Sequence, residues 1–463
     1  MSLIIVVVAL LLLMFVAYRG FSVILFAPVC ALLAVFVTDP SLVLPLFSGV
    51  FMDKTVGFIK SYFPVFLLGA VFGKVIELSG FSKSIVSSVI KIVGQERAML
   101  SIVLVCAVLT YGGVSLFVVV FAVYPFAAEM FKQGSIPKRL IPGTIALGAF
   151  TFTMDALPGT PQIQNIIPTT FFKTDGWAAP WLGVIGAVFI LIVGLSYLEW
   201  RRRQAAAAGE GYGTKLVNEP EPFTDEKLPN PWLAIAPLVI VGVANKLFTG
   251  LIQNYYGATH TAELPGLAKP VTTQISSVAA VWAVEAALLL GIITVVVFAF
   301  GRIKERFADG SKAAVAGALL AAMNTASEYG FGGVIAALPG FLIIADGLKA
   351  IPGVLVNEAV TVTALAGITG SASGGMSIAL ATMADTFIAS ADAAGIPLEV
   401  LHRIASMASG GMDTLPHNGA VITLLAVTGL THKDSYRDIF AITLIKTAAV
   451  FVAISTFYLT GIY

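Results

Sequence analysis

Two stretches of this chain carry the same signs in the same order. The first opens with Gly112-Gly113-Val114-Ser115, passes Ile136-Pro137 and ends in Met154-Asp155-Ala156-Leu157-Pro158. The second opens with Gly374-Gly375-Met376-Ser377, passes Ile396-Pro397 and ends in Met412-Asp413-Thr414-Leu415-Pro416. Upstream, Gln95-Glu96 stands against Asn357-Glu358, and Phe72-Gly73-Lys74-Val75-Ile76 against Phe331-Gly332-Gly333-Val334-Ile335. The separation between partners is nearly constant. The chain reads as a duplication.

Of its 463 residues 58% are hydrophobic and only 11% are charged, and the mean hydropathy is +0.93. Soluble domains carry roughly 25% charged residues, so the chain is expected to lie in a lipid bilayer. The net charge of +1 leaves no basic field for nucleic acid. Cys30 and Cys106 both sit in apolar sequence and imply no disulfide framework. No pattern asks for a cofactor or a metal ion. The first apolar run follows Met-Ser without a basic leader and is read as a retained helix.

The apolar runs predict spans at residues 2–18, 21–37 and 56–78, then a short amphipathic piece at 84–93. Residues 98–131, interrupted at Gly112-Gly113, are too broken for one helix and too short for two comfortable spans. A re-entrant hairpin fits better. Residues 140–172 form a helix broken at 155–161 by prolines and a glycine, and 177–200 close the half. Residues 201–230 are hydrophilic and read as a linker. The second half repeats the order at 231–247, 278–300, 313–344, a hairpin at 356–388, a broken helix at 398–430 and a last span at 440–459.

The expected fold is an all-α polytopic membrane protein of two inverted repeats, 1–200 and 231–463. Each has five transmembrane helices plus one re-entrant hairpin. An odd number of crossings inverts the second half. Most basic residues, Arg201-Arg202-Arg203 among them, then fall on one side, which the positive-inside rule makes cytoplasmic. The protein is therefore expected in a cell inner membrane, with the linker on its cytoplasmic side and both termini outside.

Inverted repeats with broken helices are the usual build of secondary transporters. Non-helical backbone survives in a membrane only against protein or a wet cavity. Each break frees helix ends, and helix N-termini hold anions without any arginine. None of the four breaks contains Lys or Arg. The expected substrate-binding set is Gly112, Gly113, Ser115, Gly159, Thr160, Ser371, Ser373, Gly374, Gly375, Ser377, His417 and Asn418. Small residues also pack helices in membranes, which is the plainer reading of the glycines and serines. Asp155 and Asp413, deep in apolar sequence, either cap restarting helices or meet the ligand or a proton. Glu285 and Glu328 are further candidate proton carriers, with structural pairing to Lys246 as the alternative. His417 could titrate near neutral pH or simply hydrogen-bond. Glu96 and Glu358 are expected near the surface as helix caps.

At these residues the chain resembles the gluconate permease family, within the ion-transporter superfamily that includes dicarboxylate/sodium symporters. The repeats, the linker position, the Gly370-Ser371-Ala372-Ser373 string and the Gly159-Thr160-Pro161 break carry the resemblance. It implies a homodimeric elevator symporter for small organic anions, coupled to protons or, as in the dicarboxylate relatives, to sodium. The sugar-acid branch carries an acidic string at its first tip and Pro-Pro-His-Pro at its first break. Here Gly112-Gly113-Val114-Ser115 and Leu157-Pro158-Gly159-Thr160-Pro161 stand instead. That leans toward a shorter hydroxy acid than gluconate, with 3-hydroxybutyrate one candidate. The chain is not expected to be an enzyme. The twin aspartates raise an intramembrane aspartyl protease, but its Tyr-Asp and Gly-x-Gly-Asp motifs are absent. A channel would not need two opposed hairpins. No Walker motif supports an ATP-driven pump.

Overall fold

A computed structural model describes the chain except for Met1, Gly20, Gln95, Glu96, Ser115, residues 215–216, 221–227 and 267–268, Ala350 and His417. The side chains of Met14, Ala17, Tyr18, Phe117, Ser276, residues 344–346 and residues 348–349 are likewise outside the description. Helices α1 (Ser2–Tyr18) and α2 (Val23–Thr38) open the chain. Asp39 then accepts from Ser41 N and starts a continuous helical run. It comprises a 3₁₀ turn (Pro40–Leu42), α3 (Val43–Leu46), five π-helical residues (Phe47–Phe51) and α4 (Met52–Leu78). The amphipathic α5 (Phe81–Val93) follows. Helices α6 (Ala98–Tyr111) and α7 (Leu116–Gln133) flank the first glycine pair.

The first broken helix is α8 (Ile141–Ala149), a single turn α9 (Phe152–Asp155) and α10 (Ile163–Phe172). Its break starts before Asp155, because Thr151 leaves helical geometry at φ −130°, ψ −125°. Helix α11 (Pro180–Ala207) runs past Arg201 into the sequence expected as linker. Arg202 and Arg203 pair with Glu199 on that helix, and the alanines beyond favour helix.

In the second half α12 (Pro231–Tyr256) leads to a two-stranded antiparallel ribbon, β1 (Thr259–Ala262) and β2 (Val271–Gln274). This ribbon is an addition to the all-α expectation. Then come α13 (Ala279–Ile303) and α14 (Phe307–Ala337). The span expected at 313–344 is two helices, because Leu338 before Pro339 is extended at ψ 142° and α15 (Pro339–Lys349) starts afresh. Helices α16 (Val354–Thr369) and α17 (Ala372–Ala394) flank the second tip. The second broken helix is α18 (Leu398–Ser409) and α19 (Gly419–Thr428), and α20 (His432–Thr460) ends the chain.

Five helical stretches among the described residues are long and apolar enough to cross a membrane: Pro40–Leu78, Pro180–Ala207, Pro231–Tyr256, Ala279–Ile303 and His432–Thr460. Leu247, Ile192 and Val297 stand largely exposed on them, as lipid-facing side chains must. Helix α14 packs on α4, α2 and α17, while α11 packs on α20. The packing around the breaks is crossed. Helix α10, after the first break, lies on α17 of the second half, and α19, after the second break, lies on α7 of the first.

One end of the molecule is laced by charge. Asp438 accepts from Arg201 Nε at 2.6 Å, Arg139 Nη1 at 3.3 Å and Tyr197 OH at 2.8 Å. Arg139 also grips Glu210 with two bonds of 2.7 and 2.8 Å. That hydrogen-bonded guanidinium holds the Glu210 carboxyl below its ordinary range. Lys138 donates to Glu219 and to Val217 O, both at 2.7 Å, and Asn218 Nδ2 donates to Ala426 O at 2.8 Å. Residues 208–214 and 217–219 thus strap the ends of both broken helices.

Candidate functional site

The first break is held by a cation from the second half. Arg403 on α18 is fully buried, and a dry guanidinium needs acceptors for its five N–H groups. It donates to Ala178 O at 2.8 and 3.1 Å, to Gly176 O at 3.3 Å, to Asn165 Oδ1 at 3.0 Å and, at a long 3.5 Å, to Asp155 O. Ser406 Oγ donates to Asp155 O at 2.7 Å. Asp155 O lies at the break, where a carbonyl lacks a helical donor, while Gly176 O and Ala178 O belong to the loop between α10 and α11. Asn165 Nδ2 reaches Thr160 O and Gly176 O, each at 2.9 Å, and His402 bridges Thr174 and Asn165.

The second break is neutralised from the last helix. Lys446 on α20 forms an ion pair with Asp413 and donates to Phe150 O at 3.1 Å, where the first break starts. Lys446 and Asp413 are 2% and 5% exposed, so neither charge is screened by water. The Asp155 carboxyl lies against Gly410, where an added Cβ would overlap it, and its Oδ2 is buried without a partner. Asp155 also feels Lys446, Asp413 and Arg403 electrostatically. The two aspartates therefore do come together, with two cations beside them. An aspartyl-protease dyad has no such lysine clamped to one member, and here Lys446 holds Asp413.

The hairpin tips dock on the breaks in parallel ways. Gln162 Nε2 donates to Thr110 O at 2.7 Å, and Asn418 Nδ2 donates to Gly370 O at 2.7 Å. Each is a side-chain amide from a break meeting a carbonyl at the end of a hairpin's first helix. Asn418 also caps α19, its Oδ1 accepting from Ala420 N at 2.7 Å and Val421 N at 3.0 Å.

Apart from Gln162, the side chains around the two glycines of the first tip are apolar. A Cβ on Gly112 would collide with Leu238, and one on Gly113, whose φ is +93°, would touch Pro161 at 3.2 Å and Leu288 at 3.3 Å. Gly159 is packed under Trp177, and the Thr160 hydroxyl is spent on Thr153 O at 2.8 Å.

Around the second tip they are polar. Ser371 caps α17, its Oγ accepting from Gly374 N at 3.1 Å, and its hydroxyl lies beside the Glu328 carboxyl. Ser373 Oγ meets Thr325 Oγ1 at 3.3 Å. Glu328 is 4% exposed, and its Oε2 has no partner and occupies the place a Gly374 Cβ would take. Ser377 Oγ, one turn along, is buried and unpartnered as well. Gly375 permits the close approach of α17 to Ala366 on α16.

Ser115 and His417 lie outside the described residues. Glu285 is half-buried on α13 and bonds to neither cluster. Lys246 stands 4.9 Å from the Trp177 ring centre, paired with neither glutamate. Glu358, expected as a surface cap, is instead fully buried on α16 with both oxygens unpartnered. Leu355, Ala359 and Val362 share its buried stripe, so the helical period carries it inward. Glu96 lies outside the described residues. Arg403 and Lys446 were not among the expected site residues. Lys446 stands alone in the apolar run 439–454 of α20, the same signal that singled out the aspartates, whereas Arg403 follows Glu399 and His402 on α18.

No family model matches this sequence. Over 88% of its length, the crystal structure of the Alcanivorax borkumensis YdaH transporter matches 89% of this chain with a TM-score of 0.58 at 15% identity. That likeness shows the fold, an all-α polytopic membrane architecture. A curated relative from Bacillus subtilis (strain 168), described as the uncharacterized transporter YxjC, is 61% identical over 471 residues and covers 100% of both chains. At that identity and coverage, the chain belongs to the membrane transporter family of YxjC.

Proposed function

We propose that this transporter is a proton-coupled symporter of a small hydroxy-carboxylate. A domain bearing the hairpins would move against a scaffold, elevator-fashion, within a homodimer. The observation that carries the reading is the joining of two helix N-termini at one point. Ser371 starts α17, Asn418 starts α19, and Asn418 ties itself to Gly370 beside Ser371. Two positive helix poles facing one spot suit a carboxylate without a dedicated arginine. The Ser371, Ser373 and Thr325 hydroxyls beside them suit a ligand hydroxyl. The basic end that carries Arg139 and Arg201 is assigned to the cytoplasm by the positive-inside rule.

A ligand that binds only the folded state raises its apparent stability, by about 2.7 kcal/mol at a hundredfold excess over Kd. Purified protein is therefore heated with 3-hydroxybutyrate, gluconate, succinate or citrate. A rise with the hydroxy monoacids at low pH is the expected result. A rise with succinate or citrate alone, and only in sodium, contradicts the reading.

A further inference from the structure

Glu328 belongs to α14, yet its carboxyl lies in the first turn of α17. Its Oε2 fills the space beside Gly374 that a side chain there would occupy, and the oxygen has no hydrogen-bond partner. Ser371, which caps α17 by accepting from Gly374 N at 3.1 Å, has its hydroxyl beside this carboxyl at the same Gly374 position. A buried acid thus rests at the positive pole of a helix of 23 residues. The same pole is where the proposed substrate carboxylate would rest.

Resting on that reading of the substrate, we infer that Glu328 is an internal competitor for the substrate anion, and that one proton on Glu328 admits one substrate carboxylate to the α17 N-terminus. Ionised, the Glu328 carboxylate and an incoming carboxylate repel each other in a dry site. Protonated, the group is neutral, turns from acceptor to donor, and leaves the pole to the ligand. The proton ends on the Glu328 carboxyl oxygen and no covalent bond to the substrate forms or breaks. A monocarboxylate and its proton then move together without net charge.

The neighbours leave Glu328 to act alone. Among the described residues no charged side chain forms an ion pair or hydrogen bond with it. On α4, Lys54 is turned to the Tyr329 ring at 5.8 Å, Lys74 pairs with Glu77, and Asp53 and Lys60 are exposed. On α17, Asp385 is exposed and Asp392 lies near the far end. Helix α2 and the π-helical turn bring no charged residue. The side chains of Asp346 and Lys349 on α15 lie outside the described residues.

The test is equilibrium binding of 3-hydroxybutyrate to purified full-length protein across pH, with Glu328→Gln as the mimic of the protonated state. In the wild type the affinity should fall up to tenfold per pH unit once Glu328 ionises. In Glu328→Gln it should stay at the low-pH value throughout, and uptake should no longer be driven by a proton gradient. A wild-type pH dependence that persists in the variant overturns the competition. No binding by the wild type at any pH overturns the substrate reading beneath it, and the competition with it. If Glu328→Gln does not fold, Ser371→Ala serves, since it removes the hydroxyl that lies beside the carboxyl at the start of α17. Its binding midpoint should move in pH, and an unmoved midpoint overturns the proposal.

Discussion

The two glycine pairs start from nearly the same letters, Gly112-Gly113-Val114-Ser115 and Gly374-Gly375-Met376-Ser377, but the first turns between α6 and α7 while the second lies in the opening turns of α17, and their surroundings differ. The first is wedged between Leu238, Leu288 and Pro161. The second meets Glu328, Thr325 and Asn418. The contrast has one source in the helix that precedes each hairpin. Three residues before Phe331 stands Glu328, and three before Phe72 stands Gly69, which has open space around it. The sequence motif occurs twice, and the glutamate stands beside only one of its two occurrences.

The breaks differ in the same sense, and the largest expected effect tests that. Lys446 neutralises Asp413 at the second break while tethering the first through Phe150 O. Lys446→Met should cost about 3–5 kcal/mol of stability, because it leaves a buried carboxylate unpaired. Adding Asp413→Asn should recover most of that loss in thermal unfolding, since both charges are then gone. A double variant no better than the single would show that the pair is not the unit.

A medium effect compares the two amide ties. Asn418→Ala loses both a helix cap and the tie to Gly370, about 2 kcal/mol together. Gln162→Ala loses the tie to Thr110 O, about 1 kcal/mol. Equal losses would mean that the second break is no more dependent on its side chain than the first.

The smallest effect belongs to the strap. Arg139 holds the Glu210 carboxyl below its ordinary range, so its contribution is complete above that range. It is lost as pH falls through the folded-state value. Glu210 is partly exposed, so the contribution should stay under about 1 kcal/mol after solvent screening. Glu210→Gln should flatten the acid limb of the stability curve and leave neutral pH almost unchanged.

Much of the architecture was legible because membranes punish irregular backbone. Glycine and proline clusters inside apolar runs could only be breaks, and α6/α7 part at Gly112-Gly113, α9/α10 at Pro158-Gly159-Thr160-Pro161 and α18/α19 at Gly410-Gly411. Helices α16 and α17 part instead at Gly370-Ser371, and the expected tip glycines Gly374-Gly375 lie within α17, where Gly375 serves the close approach to Ala366. What failed was local or distant. Leu338-Pro339 split an expected span because proline acts on its predecessor, and hydropathy does not register that. Glu358 was misplaced because nearness to a helix start says nothing about which face is buried. Arg403 and Lys446 escaped notice because each serves a break far away in sequence. Only the crossed packing of the two halves brings those cations to the carbonyls and carboxylate that need them.

The central claim is tested most directly by uptake of radiolabelled 3-hydroxybutyrate into proteoliposomes holding the purified protein, with an inward proton gradient. The account predicts saturable accumulation above the outside concentration that collapses when a protonophore dissipates the gradient. Accumulation that ignores the protonophore and follows a sodium gradient instead would contradict it.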